Sequence, residues 1–127
     1  MQENQKTFLL CPIPEHIKHN SREVTRLIRS QPRDRSVPAR ALQTIHEITD
    51  ASLNYYFVRP MDMMKLGTFS RGLVKMGVSA GLGVLNTFGK KLLTSLSPEQ
   101  LIVMADVIDN IVVELDHNSI VREKAAR

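Results

Sequence analysis

The side chains with the widest chemical reach in this chain are four histidines, His16, His19, His46 and His117, and a single cysteine, Cys11. Nucleophilic catalysis needs a serine, cysteine or carboxylate beside a base that a third group orients. None of the histidines has such neighbours in the sequence, so no catalytic constellation is legible. His16 and His19 stand three residues apart and could share a metal. A lone pair falls short of the three or four protein ligands of a zinc site, and these residues are read as solvated. Cys11, next to Pro12, reads as a small buried apolar group rather than a reactive thiol. Gly81-Leu82-Gly83 follows no strand and is not a phosphate-cradling loop. The expectation is a protein that is not an enzyme, holds no metal and uses no cofactor, and that works by binding.

Two patterns point to what it binds. Lys18, Arg22, Arg26, Arg29 and Arg33 step by four, four, three and four, which sets all five on one side of a helix, opposite Val24, Leu27 and Ile28. Arg35 and Arg40 extend the row. Like charges at these spacings repel, so beside a merely solvated face the row suggests an anionic partner: an acidic protein surface such as another subunit's helix, nucleic acid, or lipid headgroups. Nucleic acid would engage it through phosphate contacts. However, no aromatic interleaves the arginines, and about seven residues replace the usual 3–4 of a helix-turn-helix turn.

The second pattern is glycine: all six lie between Gly67 and Gly89, within a segment of helical periodicity. Each glycine in a helix interior costs about 1 kcal/mol relative to alanine, so a structural return is implied. Ser70, Val74, Gly77 and Gly81 fall in line on the apolar side and are expected to give close helix packing or an oligomer contact. Gly72 and Gly83 fall on a polar side with Lys65, Lys75, Asn86 and Lys90, and are expected to serve as a hinge or to meet a partner.

Four helices are expected to position these groups. Residues 1–19, with Cys11-Pro12-Ile13-Pro14, read as an extended arm, and residues 20–127 as a single helical domain. Asn20 or Ser21 is the expected cap of a first helix ending near Ser30, and Ser36 the cap of a second from Ala39 to about Val58. Arg59-Pro60 should break or redirect the second helix. A third, long helix is then expected from about Met61 to Ser95, with a possible bend between Gly77 and Gly83. Ser97-Pro98-Glu99-Gln100 has the form of a capping box that opens a fourth helix. Its main apolar line runs from Leu101 to Leu115 and a thinner one through Ile102, Val113 and Ile120. The short link predicts an antiparallel hairpin of the third and fourth helices. That pairing would bring Glu99 to Lys90 and Lys91, and Asp109 or Glu114 to Arg71 and Lys75.

Bulk composition agrees with this class. The 127 residues suit one domain, and 43% hydrophobic content with 5% aromatics implies an aliphatic core. The net charge of +4 is unevenly spread: fourteen basic against seven acidic residues through Leu96, then five acids and no Lys or Arg from Ser97 to Val121. Intramolecular pairing between helices accounts for that split. The apolar run Phe8–Cys11 is too short for a secretory signal. The longest uncharged stretch, Met76–Gly89, is fourteen residues, below the roughly 20 that span a bilayer. A lone cysteine favours a reducing compartment, so a cytoplasmic location is expected. The expected protein is an all-α, four-helix bundle-like domain, most simply a homodimer. Amphipathic binding to anionic membranes and a nucleic-acid role for the arginine row are the alternatives.

Overall fold

The computed structural model describes residues 7–114. It is 80% helical, with no strand among the described residues, and belongs to the all-α, bundle-like class. Helix α1 spans Glu15–Ser30, α2 Val37–Leu53, α3 Arg59–Met64, α4 Thr68–Ser95 and α5 Pro98–Ile111, with one π-helical turn, Asn54–Val58, between α2 and α3.

Helix α1 starts five residues before the expected cap. Pro14 supplies an extended residue in front of it, and Glu15 puts an acidic side chain in its first turn, where the helix dipole favours negative charge. Ser21 is therefore inside the helix, buried, with its hydroxyl donating to the Lys18 carbonyl at 2.7 Å. His16, Lys18 and His19, assigned to an arm by the sequence, belong to the helix. Residues 7–14 do run as an irregular segment, and Leu10 accepts a hydrogen bond from the Tyr56 hydroxyl. Before α2, Ser36 occupies the cap position but does not cap with its side chain. Its amide and hydroxyl both donate to Asp34, at 2.8 and 2.6 Å, and these two bonds hold the Asp34 carboxyl below its ordinary pKa.

Pro60 does not break the helical path. Its missing N–H and its ring are incompatible with a regular turn, and the wider π-turn accommodates them, with the Arg59 amide reaching back to the Asn54 carbonyl. The break falls later. Lys65 adopts a left-handed conformation, φ 54° and ψ 45°. The Lys65 amide bonds the Asp62 carbonyl, and the Leu66 amide bonds that of Met61, the double bond pattern of a Schellman termination. The long helix expected from Met61 is thus two helices, and α4 begins only after extended Gly67. Arg71 joins them, reaching Asp62 across the turn at 3.0 Å and the Leu66 carbonyl at 3.0 Å. From there α4 is continuous to Ser95 through Gly72, Gly77, Gly81 and Gly83.

The main buried cluster gathers where α1, α2, α5 and the end of α4 converge. Val24 and Ile28 of α1, Val37 and Ala41 of α2, Leu93 of α4, and Leu101 and Ala105 of α5 form one buried cluster, with Leu27, Leu42, Ile45, Leu96 and Met104 around it. α2 packs on both α1 and α4, while α5 packs along α1. The expected hairpin of the last two helices is therefore corrected: α4 and α5 are joined by the two residues Leu96 and Ser97, but α5 lies along α1. The capping box at Ser97 and Gln100 is present, with both reciprocal bonds made. Leu115, His117 and Ile120 lie outside the described residues.

Candidate functional site

The basic row and the acidic helix meet within the chain. Arg22 donates to Asp109 at 2.8 Å and to the Val112 carbonyl at 2.6 Å. Arg29 spans Asp106 and Asp109, at 2.8 and 2.6 Å. Thr25, buried between them, donates to Asp109 at 3.1 Å. Lys18 pairs with Glu15 and with Glu114. Asp109 is the hub of this arrangement because one carboxylate, only 26% exposed, accepts from three side chains of α1. Partial burial pushes its pKa up, but the bonds from Arg29, Arg22 and Thr25 outweigh that and hold it below the ordinary aspartate value. Glu114 is lowered too, by its bond to Lys18.

This pairing replaces the partners expected from sequence. Arg71 meets Asp62 rather than Asp109 or Glu114, and the acids of α5 turn to α1. The reason is spacing: α1 presents cations every three to four residues along the face that flanks its apolar line, so α5 buries Leu101, Ala105 and Ile108 and neutralises Asp106 and Asp109 in one docking. Of the five cations in the row, Arg26 and Arg33 make no ion pair among the described residues.

A depressed pKa means that the folded state holds its proton less tightly than the unfolded chain. The associated stability is present above the ordinary aspartate value of about 3.9 and is lost as pH falls through the lower folded value. Asp109→Asn is expected to cost about 1–2 kcal/mol at pH 7, because the amide offers one acceptor oxygen for three donors. It should also flatten the acid limb of the stability curve below about pH 4. Urea unfolding at pH 7 and pH 3 checks both; a variant with the parent's acid sensitivity would show that Asp109 is not the hub.

The glycine helix offers the other surface. Of the 28 residues of α4, Leu93 alone is buried. Arg71, Val74, Val78, Leu82, Leu85 and Gly89 are half-buried, and they trace the side turned to α2. Gly89 is the closely packed glycine: a Cβ there would lie 2.8 Å from Leu42 Cδ1. At the other five, no described residue beyond the local turn of helix comes within 4 Å of a Cβ position. Gly77 and Gly81 therefore pack against none of the described residues, and Ser70 is exposed; of that expected set only Val74 is half-buried. Gly72 and Gly83 are equally open. The buried line is rotated from the expected one because α2 covers the flank through Val78 and Gly89.

The rotation leaves an apolar face outward. At 100° per residue, Phe69, Leu73, Met76, Ala80, Val84 and Thr87 form one row, flanked by Gly77, Gly83 and Phe88. Phe69 is 80% exposed, Met76 68% and Phe88 64%. No charged residue lies between Lys75 and Lys90, and α4 holds no acid at all. Sequence reading missed this face because it placed a single apolar stripe on the helix. The signal available was the width of the apolar arc, which exceeds what one neighbouring helix can cover.

Elsewhere, a cleft between α2 and α4 is lined by Arg35, Leu42, His46, Asn86 and Lys90. In it, His46 Nδ1 lies 3.2 Å from Asn86 Oδ1. Cys11 sits near the Ser52 hydroxyl, Sγ to Oγ 3.8 Å. His16 is exposed, and His19 lies 3.6 Å from Glu23. No cluster of three or more His, Cys, Asp or Glu gathers among the described residues. None of the described helices is long and apolar enough to cross a membrane.

Fold and surface together define the class: an all-α, bundle-like protein with one long helix covered on a single side. No family model, characterised protein or solved structure matches the chain.

Proposed function

We propose that this chain is a helical self-assembly module, acting by binding rather than by catalysis in a reducing compartment such as the cytoplasm, and that the outer face of α4 is its interaction surface. The observation behind this is the helix itself: 28 residues with one buried side chain and an uncharged, apolar outward row. Exposed apolar length of this kind marks an interaction site in soluble proteins. A catalytic role has no such support, since among the described residues neither Cys11 nor His46 is paired with a group that would activate it.

Sedimentation of the chain over a range of concentrations tests the proposal. The parent is expected to associate, and Met76→Glu to weaken association by at least about tenfold, since the charge would be buried without a partner. Circular dichroism should be unchanged, because Met76 touches little within the chain. A parent that stays monomeric, or a variant that associates equally well, would overturn it.

Anionic membranes are the alternative ligand for the same face, favoured by exposed Met63, Met64 and Phe69 beside Lys65 and by the absence of acids from α4. Co-sedimentation of the parent with phosphatidylserine vesicles, and not with neutral ones, would favour that ligand. Nucleic acid draws no comparable support, because Lys18, Arg22 and Arg29 are already engaged by Glu114, Asp106 and Asp109.

A further inference from the structure

We infer that the second copy docks antiparallel on the first, with the two-fold axis passing Ala80, so that the face of α4 is complementary to itself. This rests on the self-association proposed above and adds its geometry. Under such an axis each residue faces the one equally far from Ala80 on the other side. Met76 then faces Val84, four residues either way, and Leu73 faces Thr87, seven either way. Gly77 faces Gly83, and Gly72 faces Phe88. The middle of the helix is thus small, and bulk begins at Met76 on one side and Val84 on the other. Two helices crossing at Ala80 can approach closely at the centre, while each exposed Phe88 ring enters the space over the partner's glycine at position 72. The glycines that supply this space, Gly72, Gly77 and Gly83, are among the five at which no described residue beyond the local turn comes within 4 Å of a Cβ position.

Charge selects the same direction. The cations of α4 are Arg71, Lys75, Lys90 and Lys91, with no acid from Met63 to Pro98. A parallel pair would set Lys91 on the outer row, and Lys90 at its edge, each beside its own copy with nothing to neutralise them. The antiparallel pair sets Lys91 opposite the exposed ring of Phe69, a favourable cation–aromatic pairing. The two-fold also makes the contact closed, so it yields a dimer rather than a filament. Phe69, Leu73, Met76, Val84 and Phe88, each more than half exposed, offer on the order of 600 Å² per copy. That is somewhat below the roughly 800 Å² per partner of a standard interface, which suits a dimer of modest affinity.

Disulfide trapping in a Cys11→Ser background reads out the register, because a bridge needs Cβ atoms within about 4.5 Å. Sedimentation and circular dichroism first establish that each variant is folded and associates. Ala80→Cys is expected to cross-link with itself. Met76→Cys and Val84→Cys are each expected to fail alone and to cross-link when mixed. Self-linking of Met76→Cys as efficient as that of Ala80→Cys would mean a parallel pair and overturn the inference. So would failure of Ala80→Cys to cross-link in a preparation that sediments as a dimer, while leaving self-association standing. A parent monomeric at all concentrations would overturn both.

Discussion

Replacing Gly72, Gly77, Gly81 and Gly83 together by alanine is expected to make the monomer about 3–4 kcal/mol more stable and, at the same time, to weaken its self-association. The two effects have separate causes. Among the described residues, beyond the local turn of helix itself, nothing lies within 4 Å of a Cβ position at these glycines, so the added methyl groups meet no neighbour there. Each substitution recovers close to 1 kcal/mol of helix propensity, partly by restricting the unfolded chain. Between chains, methyl groups at Gly77 and Gly83 would hold the two helices apart where the proposed crossing is closest, and one at Gly72 would occupy the space assigned to Phe88. Urea unfolding at concentrations where the parent is monomeric measures the first effect, and sedimentation the second. A less stable variant monomer would mean that these glycines pack inside the chain. A more stable monomer with unchanged association would mean that the glycine face meets no second copy. Gly89 is the internal contrast, since there Leu42 would have to move.

Ile28→Ala is expected to cost about 3–4 kcal/mol, a large share of the 5–15 kcal/mol that holds an ordinary domain together. Ile28 is fully buried and belongs to the cluster with Val24, Val37, Ala41, Leu93, Leu101 and Ala105, where α1, α2, α5 and the end of α4 converge. Removing its side chain leaves a cavity at the point on which all four helices depend. Leu73→Ala removes a comparable side chain from the outer face of α4 and is expected to change monomer stability by no more than about 0.5 kcal/mol. Thermal or urea unfolding of the two variants side by side tests whether the stabilising core lies at that convergence and not on the outer face of α4. Equal losses would show that the outer face of α4 is packed within the chain after all.

Local signals were the most legible part of this protein. The capping box at Ser97 and Gln100 fixes the start of α5, since both of its bonds form between residues three apart and need nothing else. The steps of three and four in Val24, Leu27 and Ile28 identify the inner side of α1, and all three join or border the core. The cationic row of Lys18, Arg22 and Arg29 was visible as a feature seeking anions. Its partner was not, because α1 and α4 both carry cations that the acids of α5 could meet, and a short link made α4 and α5 the obvious pair. Pro60 was visible as a disruption, but whether a disruption ends a helix or widens one turn depends on the packing on both sides.

The sequence by itself determined that the bodies of α1, α2, α4 and α5 are helical and where α5 starts, since helix propensity, caps and apolar periodicity act between residues a few positions apart. It determined the helical class, the aliphatic core and the imbalance of charge. Only the tertiary structure decided which helix α5 lies along and which flank of α4 is covered, and so which glycines are enclosed and which are free. Those outcomes depend on competition among surfaces far apart in the chain: α1 met the apolar line and the acids of α5 together, and α2 was left to cover one side of a helix too long for it.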